Sequence, residues 1–264
     1  MSIEISSKDN AAVKNAVKLR TSSKERSEQS SFFIEGLRLC TDALESKISI
    51  LQLFYTEPAA QKNHEAIQSL SAAAKDAYLV SEELAEKLAD TVNSQGIFCV
   101  CEATKHPSFL ENPGSGRYIA LENIQDPSNM GNILRTTEAL GLDAAILSSD
   151  CCDIYNPKVI RGSMGALFRL PIVIVPDFSK YIKKLRQEGL RPLAAVPDSD
   201  ASKISAIRFF KGVVMCVGNE GNGLTEQAIT ACGERVNIPM SENAESLNAA
   251  TSAAILMWEM VRAD

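Results

Sequence analysis

Residues 213–224 read Val-Val-Met-Cys-Val-Gly-Asn-Glu-Gly-Asn-Gly-Leu, an apolar run that leads directly into glycine and polar residues. Continuous apolar runs of this kind are typical of strands buried on both faces of a parallel sheet. Similar runs occur at 118–121, 144–147, 172–175, 192–196 and 236–238, and helical patterns follow most of them. This alternation predicts an α/β fold with a parallel sheet in the second part of the chain.

The first hundred residues alternate less regularly and predict a small α/β domain. Extended patterns at 31–34, 48–55, 77–80 and 96–101 lie among helical ones at 8–20, 36–45, 63–74 and after Ser81. Residues 105–116 then carry two prolines and two glycines with little periodicity, as expected of a linker. We therefore predict a domain over 1–105, a linker over 106–116 and a second domain over 117–264.

Composition limits the class of protein. Apolar residues make up 45% and charged residues 23%, which is ordinary for a globular protein. No apolar run is long enough to cross a membrane, and residues 1–10 lack the apolar core of a signal peptide. The seven cysteines are sparse and odd in number, which argues against a disulfide scaffold. We expect a cytoplasmic protein with reduced cysteines.

The net charge and the scarcity of metal-ligating residues limit which binding sites and catalytic groups the chain can have. The net charge of −6 argues against wholesale coating of nucleic acid, although residues 1–30 carry six basic against four acidic residues. The chain has two histidines, and its cysteines lack zinc-site spacing, so we predict no metal site and no histidine-based acid–base catalysis.

Polar residues follow the apolar strands in three places. In residues 123–135, Ser128 or Asn129 can cap the following helix, and Gly131 lies on the same helix face as Arg135. A small residue one turn before an arginine leaves room for a group to approach the guanidinium. The alternative interpretation is a capped helix with a solvated arginine.

The other two segments come later in the chain. Residues 218–223 have glycines in the order G-x-x-G-x-G, which does not match the dinucleotide fingerprint, and they lack the P-loop lysine. Ser246 can cap the terminal helix, whose small residues allow close approach of another backbone: Ala249, Ala250, Ala253 and Ala254. An ordinary glycine-rich turn and a packed terminal helix are the alternatives.

Together the three segments resemble the SpoU (TrmH-like) family of RNA ribose 2′-O-methyltransferases, in the SPOUT superfamily. The first motif is matched by Asp126-Pro127, Asn129, Gly131 and Arg135-Thr136, the second by residues 218–224, and the third by residues 238–240 with 246–248. Residues 158–166 are also similar to the family. Residues 1–105 resemble more weakly the L30e-like RNA-binding domain of rRNA-modifying members, mainly through Phe33-Ile34-Glu35-Gly36.

The resemblance implies a catalytic domain with a deep trefoil knot, preceded by a small L30e-like α/β domain. It also implies a homodimer and S-adenosylmethionine as cofactor, held by Gly218, Ile238 and Leu247. The implied substrate is structured RNA, with rRNA expected, and neither a metal nor a membrane is involved. One departure is Glu242, at or near a position where the family usually has glycine.

The implied catalytic residues are Arg135, Asn129, Glu220, Ser246 and Asn248. Because arginine is normally protonated, we expect Arg135 to stabilise the developing alkoxide or bind phosphate rather than act as a base. Asn129 and Glu220 would orient Arg135 and the ribose, and Ser246 and Asn248 would hold the acceptor or Arg135. The alternatives are a noncatalytic RNA-binding or ribosome-assembly protein with the same fold, and a nucleotide-dependent oxidoreductase, which the glycine order disfavours.

Overall fold

The structure is a computed structural model that describes residues 3–7, 9–241 and 246–262. Its strands are β1 (Ile3–Ile5), β2 (Ser31–Glu35), β3 (Ile50–Tyr55), β4 (Asp76–Val80), β5 (Ile97–Glu102), β6 (Arg117–Leu121), β7 (Ala144–Ser148), β8 (Ile172–Val175), β9 (Arg191–Ala195), β10 (Ser202–Lys203), β11 (Val213–Val217) and β12 (Glu234–Asn237).

The helices follow the same order along the chain. They are α1 (Ala11–Thr21), α2 (Ser23–Gln29), α3 (Leu37–Glu45), α4 (Glu57–Lys62), α5 (His64–Ala73), α6 (Glu82–Leu88), α7 (Pro127–Ala139), α8 (Pro157–Ser163), α9 (Ala166–Arg169), α10 (Phe178–Gln187), α11 (Glu226–Cys232) and α12 (Ala249–Val261). Among the described residues, no helix is both long and apolar enough to span a bilayer.

The chain divides into two compact units. The first consists of Met1–Lys105 with Asp153–Phe168, and the second of His106–Cys152 with Arg169–Asp264. Residues 153–168, which include α8, therefore pack in the first unit although they follow the linker in sequence. The functional division at residues 105 and 117 stays a prediction.

The first unit is built on a mixed sheet in the order β1-β4-β3-β5-β2. β5 runs antiparallel to both β2 and β3, whereas β4 is parallel to β1 and β3. One face of α1, formed by Val13, Ala16 and Leu19, packs with sheet residues in a single buried core that includes Phe33, Phe54 and Phe98. The apolar spacing that predicts α1 thus corresponds to its buried face.

Within the first unit, residues 153–168 are held by a buried ion pair and a ring stack. The Arg26 side chain is 5% exposed, and its Nε donates to Asp153 at 2.6 Å. Its Nη1 donates to the Leu19 carbonyl at 2.7 Å. The rings of Phe32 and Tyr155 stack with centroids 4.5 Å apart. A buried arginine is tolerated because each contact satisfies part of its hydrogen-bonding capacity.

The second unit contains the parallel sheet that the sequence predicts. Its order is β10-β12-β9-β11-β6-β7-β8, and all its strand pairs are parallel. Residues 120, 146, 214 and 216 of the strands share one core with α10 and α11. In contrast, α7 and α12 contact each other, and α7 also contacts β7 while α12 contacts β6 and β11. Helices from both sets cover the strands, which explains their continuous apolar sequences.

The order of connection reverses beside β6. From β6 the chain continues to β7 and β8 on one side, and it later places β11 on the other side, with Leu121 beside Val217. Parallel strands end at the same edge of a sheet, and ligands bind in the crevice where the strand order reverses. The polar segments after β6 and β11 therefore meet.

Candidate active site

The loop after β11 folds back on itself so tightly that its first residue must be glycine. A Cβ on Gly218 would lie 2.1 Å from the Gly223 carbonyl carbon and 2.1 Å from the Leu224 nitrogen. The Asn219 Oδ1 accepts from the backbone N–H groups of Gly221 at 3.0 Å and Asn222 at 3.1 Å. The loop is therefore fixed by its own backbone and one asparagine.

Glu220 joins this loop to the segment after β6. Its carboxylate accepts from the backbone N–H groups of Gln125 at 3.1 Å and Asp126 at 3.0 Å. The same carboxylate accepts from the Asn129 Nδ2 at 3.1 Å. Three donors thus converge on one acid at the start of α7.

The start of α7 differs from the predicted one. Asp126 is the cap, since its side chain accepts from the Asn129 N–H at 2.8 Å, and Pro127 occupies the first turn. The prediction that Ser128 or Asn129 caps the helix is wrong, because proline favours the first helical position and places the cap before it. The Asn129 side chain is consequently free to bond inside the site, where it is buried.

Asn248 extends the network to α12. Its Nδ2 donates to the Asn129 Oδ1 at 2.8 Å, and its Oδ1 accepts from the N–H groups of Ala250 at 2.9 Å and Thr251 at 3.2 Å. Asn248 is therefore the cap of α12, and the prediction of Ser246 as that cap is wrong. An asparagine caps as well as a serine, and here it also reaches Asn129.

The charge state of Glu220 follows from its surroundings. Burial raises the pKa of this carboxyl, but the hydrogen bonds from Asn129 and from the backbone of Asp126 and Gln125 outweigh it and lower the pKa below its ordinary value. The group is ionised at neutral pH and its oxygens are engaged. The ionised carboxylate therefore holds the Asn129 amide in place.

Arg135 and Ser246 lie outside this network. Arg135 is exposed, and within the described parts of the chain it makes no hydrogen bond or ion pair. It is six residues beyond Asn129, about 9 Å along the helix axis. Gly131 is buried in α7, and Ser246 is exposed. The structure brings together Asn129, Glu220 and Asn248. That Asn129 and Glu220 orient Arg135 stays a prediction.

A cavity of about 590 Å³ lies at the carboxyl ends of the strands. The predicted cofactor residues Gly218, Ile238 and Leu247 all line it, as do Glu220 and Ser246. Residues 195–198 after β9 also line it, and the sequence reasoning missed them although the polar Asp198 follows this strand closely. Their position after a strand of the same sheet is the signal that could have identified them. Glu242 lies outside the described residues.

Metal ligands are not grouped in this site. Across residues 3–7, 9–241 and 246–262, no three His, Cys, Asp or Glu side chains form a set that could hold a metal ion.

Comparisons with known proteins agree with this arrangement. Residues 116–258 match the SpoU rRNA Methylase family, and residues 10–99 match the MRM3-like substrate binding domain. The chain belongs to the SpoU rRNA Methylase family. The resemblance drawn from the three motifs is confirmed.

Similar proteins cover nearly the whole chain. An uncharacterized tRNA/rRNA methyltransferase from Synechocystis is 32% identical over 98% of this chain and 93% of its own length. The 23S rRNA (guanosine(2553)-2′-O)-methyltransferase RlmP from Bacillus subtilis is 30% identical over 97% of this chain and 98% of its own length. The AdoMet-bound rRNA methyltransferase from Sinorhizobium meliloti aligns with a TM-score of 0.89 and 28% identity, over 99% of this chain and 98% of the other.

The close packing at Gly218 generates a prediction. Gly218→Ala should abolish binding of S-adenosylmethionine (AdoMet), because its Cβ would meet backbone that has to move and thereby deform the cavity wall. Gly221→Ala in the same loop is the matched control, since its Cβ would meet only the Asn219 Oδ1 at 3.6 Å. Calorimetric titration with AdoMet measures both variants. Equal affinity of Gly218→Ala and the unmodified protein would contradict the assignment of this wall.

Proposed function

We propose that this protein transfers the methyl group of AdoMet to a ribose 2′-hydroxyl of structured RNA, with rRNA as the expected substrate. The observation that carries the proposal is the Glu220–Asn129–Asn248 network, which joins the three family motifs at the edge of one cavity. Its relative RlmP is named as a 23S rRNA 2′-O-methyltransferase.

The residues present fit the cofactor. The cavity volume of about 590 Å³ is in the range of small-molecule sites. Apolar side chains of Ile238, Met240 and Leu247 contribute to its wall, and the missing Cβ of Gly218 gives close access to backbone. We propose that Gly218, Ile238 and Leu247 hold AdoMet, whose sulfonium supplies an activated methyl group when bound.

The chain's own contribution to transfer is alignment and electrostatics. A ribose hydroxyl is a weak acid and a poor nucleophile, so it has to be positioned in line with the methyl group. Each amide of Asn129 and Asn248 uses one N–H inside the network, which leaves a second N–H of fixed direction on each. We propose that these donors and the Ser246 hydroxyl hold the acceptor nucleotide, while ionised Glu220 keeps the Asn129 amide oriented.

Arg135 is the proposed catalytic cation. Because its guanidinium is protonated and, within the described residues, unpaired, it is available to an incoming phosphate or to the alkoxide that develops on the ribose. Arg135 lies on a different face of α7 from Asn129, because six residues correspond to about 600° of helix rotation, and its Cβ tilts toward the N-terminus of the helix. Stabilisation of negative charge by Arg135 favours transfer of the hydroxyl proton to water, as the ribose oxygen gains the methyl group and the methyl–sulfonium bond breaks, so arginine is not itself the base.

The first unit is the proposed RNA-binding, L30e-like part. The match of residues 10–99 to a substrate binding domain supports this assignment. The basic N-terminal segment supports it less than its charge of +2 suggests, because three of its lysines lie near carboxylates: Lys14 with Asp9 at 2.7 Å, Lys18 with Glu25 at 3.8 Å and Lys24 with Glu28 at 3.8 Å. Lys8 lies outside the described residues.

We also propose that the second unit carries the family's deep trefoil knot and dimerises through α12. Ala249 and Ala253 of the small-residue face are buried within the chain, so they are not available to a partner subunit. The exposed face of α12 instead presents Thr251, Ile255 and Trp258 at helical spacing, and Trp258 is 55% exposed. An exposed tryptophan on a helix face is a suitable centre for an interface.

The first prediction from the proposed function tests the catalytic role of Arg135. Arg135→Ala should lower the single-turnover rate of methyl transfer to rRNA about 10²–10³-fold, the usual effect of removing one group that stabilises developing charge. AdoMet affinity should stay nearly unchanged, because Arg135 does not line the cavity. Arg135→Lys should restore little activity, since an ammonium lacks the planar fork. Arg208→Ala, at another exposed arginine of the second unit, is the control.

Two outcomes of that experiment would be informative against the proposal. Near-normal transfer by Arg135→Ala would contradict the mechanism but not the family assignment. Binding of AdoMet by the unmodified protein without methyl transfer to any rRNA would favour the noncatalytic RNA-binding or ribosome-assembly alternative.

The second prediction concerns RNA affinity. Arg38 lies in the first turn of α3 and is exposed, and the described residues offer it no ion-pair partner. Arg38→Glu should weaken rRNA binding, because one phosphate contact is lost. The slope of log K against log salt should become shallower by about one. The control is Lys211→Glu, at the amino end of β11 and thus at the opposite sheet edge from the cavity. Equal losses in filter binding with both variants would contradict a specific RNA surface on the first unit.

The third prediction concerns assembly. Light scattering at micromolar concentration should show a dimer, and Trp258→Glu should convert it to a monomer, because the charge would be buried in an apolar contact. Phe109→Glu replaces another exposed aromatic, 51% exposed, and should leave the dimer intact. A monomeric unmodified protein would contradict the dimer, and a dimeric Trp258→Glu variant would contradict this face.

A further inference from the structure

A buried carboxylate outside the motif residues is hydrogen-bonded at the end of the loop over residues 218–224. Glu122 follows β6 directly and is 7% exposed. Its Oε2 accepts from the Thr225 backbone N–H at 2.8 Å, and its Oε1 accepts from the Thr225 hydroxyl at 2.8 Å. Both oxygens therefore hold one residue, 103 positions later in the chain.

Thr225 is the point at which the loop over residues 218–224 ends and α11 begins. Its Oγ1 also accepts from the Ala228 N–H at 3.2 Å as the cap of α11. The residues on both sides of Thr225, Leu224 and Glu226, line the cavity. A displacement of Thr225 would consequently move two parts of the cavity wall.

The other end of the loop is held by Glu122 and by its neighbour Asn123. The Glu122 N–H donates to the Val217 carbonyl at 2.9 Å, and the Asn123 carbonyl accepts from the Asn219 Nδ2 at 2.8 Å. Two consecutive residues thus fix the loop at its beginning and its end. Between these points the loop depends on its own backbone contacts and on Glu220.

We propose that Glu122 is a positioning residue that sets the affinity for AdoMet by clamping Thr225, without touching the reacting atoms. The inference rests on the proposed function, since it assigns the cavity to AdoMet. Burial of a carboxylate is costly unless it is hydrogen-bonded, and the Thr225 N–H and O–H are the two donors that satisfy it. Loss of the carboxylate leaves these donors unpaired and releases the end of the loop.

The test separates cofactor affinity from the chemical step. Glu122→Ala and Thr225→Ala should each raise the Kd for AdoMet in calorimetric titration about tenfold, as expected for loss of hydrogen bonds to a charged group. The single-turnover rate at saturating AdoMet should remain within about threefold of the unmodified protein, because the methyl-transfer residues are untouched. The double variant should bind no more weakly than Glu122→Ala, since the hydroxyl bond that Thr225→Ala removes is already absent without the carboxylate.

Conservative variants distinguish a clamp from a general loss of stability. Thr225→Ser keeps the N–H and the hydroxyl and should restore the Kd to within about twofold. Glu122→Gln keeps the size but cannot accept from both donors with its amide, so an intermediate Kd is expected. Asp177→Ala is the matched control, because it removes a carboxylate that caps α10 at 2.9 Å without contacting the loop. It should lower the melting temperature while leaving the Kd unchanged.

The outcomes that overturn the inference are distinct from those that overturn the proposed function. An unchanged Kd in Glu122→Ala, or an equal rise in Asp177→Ala, overturns the clamp while AdoMet binding stands. Glu122→Gln and Thr225→Ala supply the same comparison if Glu122→Ala does not fold. Failure of the unmodified protein to bind AdoMet overturns the proposed function and the inference with it.

Discussion

The parallel pairing of β6 with β11, which sets Leu121 beside Val217, determines where every candidate group lies. Strands of a parallel sheet end at the same edge, so the residues after Leu121 and those after Val217 have to share one space. Hydrogen bonds join residues 122–129 to residues 218–225 across 91 to 103 positions of the chain, at Glu122, Asn123 and Glu220. A shift of register between these strands would separate the bonded pairs.

The two glutamates that join these segments accept different sets of hydrogen bonds. Glu220 accepts two backbone N–H groups and one amide, and these bonds lower the pKa of its carboxyl although burial opposes them. Glu122 instead places both oxygens on one threonine. One acid orients a side chain that faces the proposed acceptor, and the other fixes backbone that lines the cavity. Both carboxylates thus hold groups of the protein, and Arg135 is the proposed electrostatic group.

The elements with strong apolar periodicity could be predicted from the sequence. Strands 172–175 and 213–217 have the predicted bounds, since continuous apolar runs mark them in the sequence. The three-residue β1 was missed because its apolar pattern is too short to recognise, and the polar helix α2 because its buried residue is an arginine. The caps at Asp126 and Asn248 were missed because several neighbouring polar residues can cap a helix, and tertiary bonds select among them.

The sequence predicts which residues belong to the site but not which of them are hydrogen-bonded to each other. The motif residues are in the right segments, and the six-residue spacing of Asn129 and Arg135 places them on different faces of the helix. The spacing does not reveal that Asn129 bonds to Glu220 and Asn248. The packing of residues 153–168 in the first unit was also beyond sequence patterns, because it depends on Arg26 and Asp153, 127 positions apart.

The paired state of the N-terminal lysines changes how RNA affinity has to be explained. A protein with net charge −6 attracts polyphosphate only through cations that are not already neutralised. Lys14 lies 2.7 Å from Asp9, and Arg26 is buried against Asp153, so these charges have partners before any RNA arrives. Exposed cations without partners among the described residues, such as Arg38 in the first unit and Arg135 in the second, can release phosphate counterions without first breaking an ion pair. The sum of basic residues in a segment is therefore a poor guide to its RNA affinity, and the placement of its carboxylates decides how much of that charge remains available.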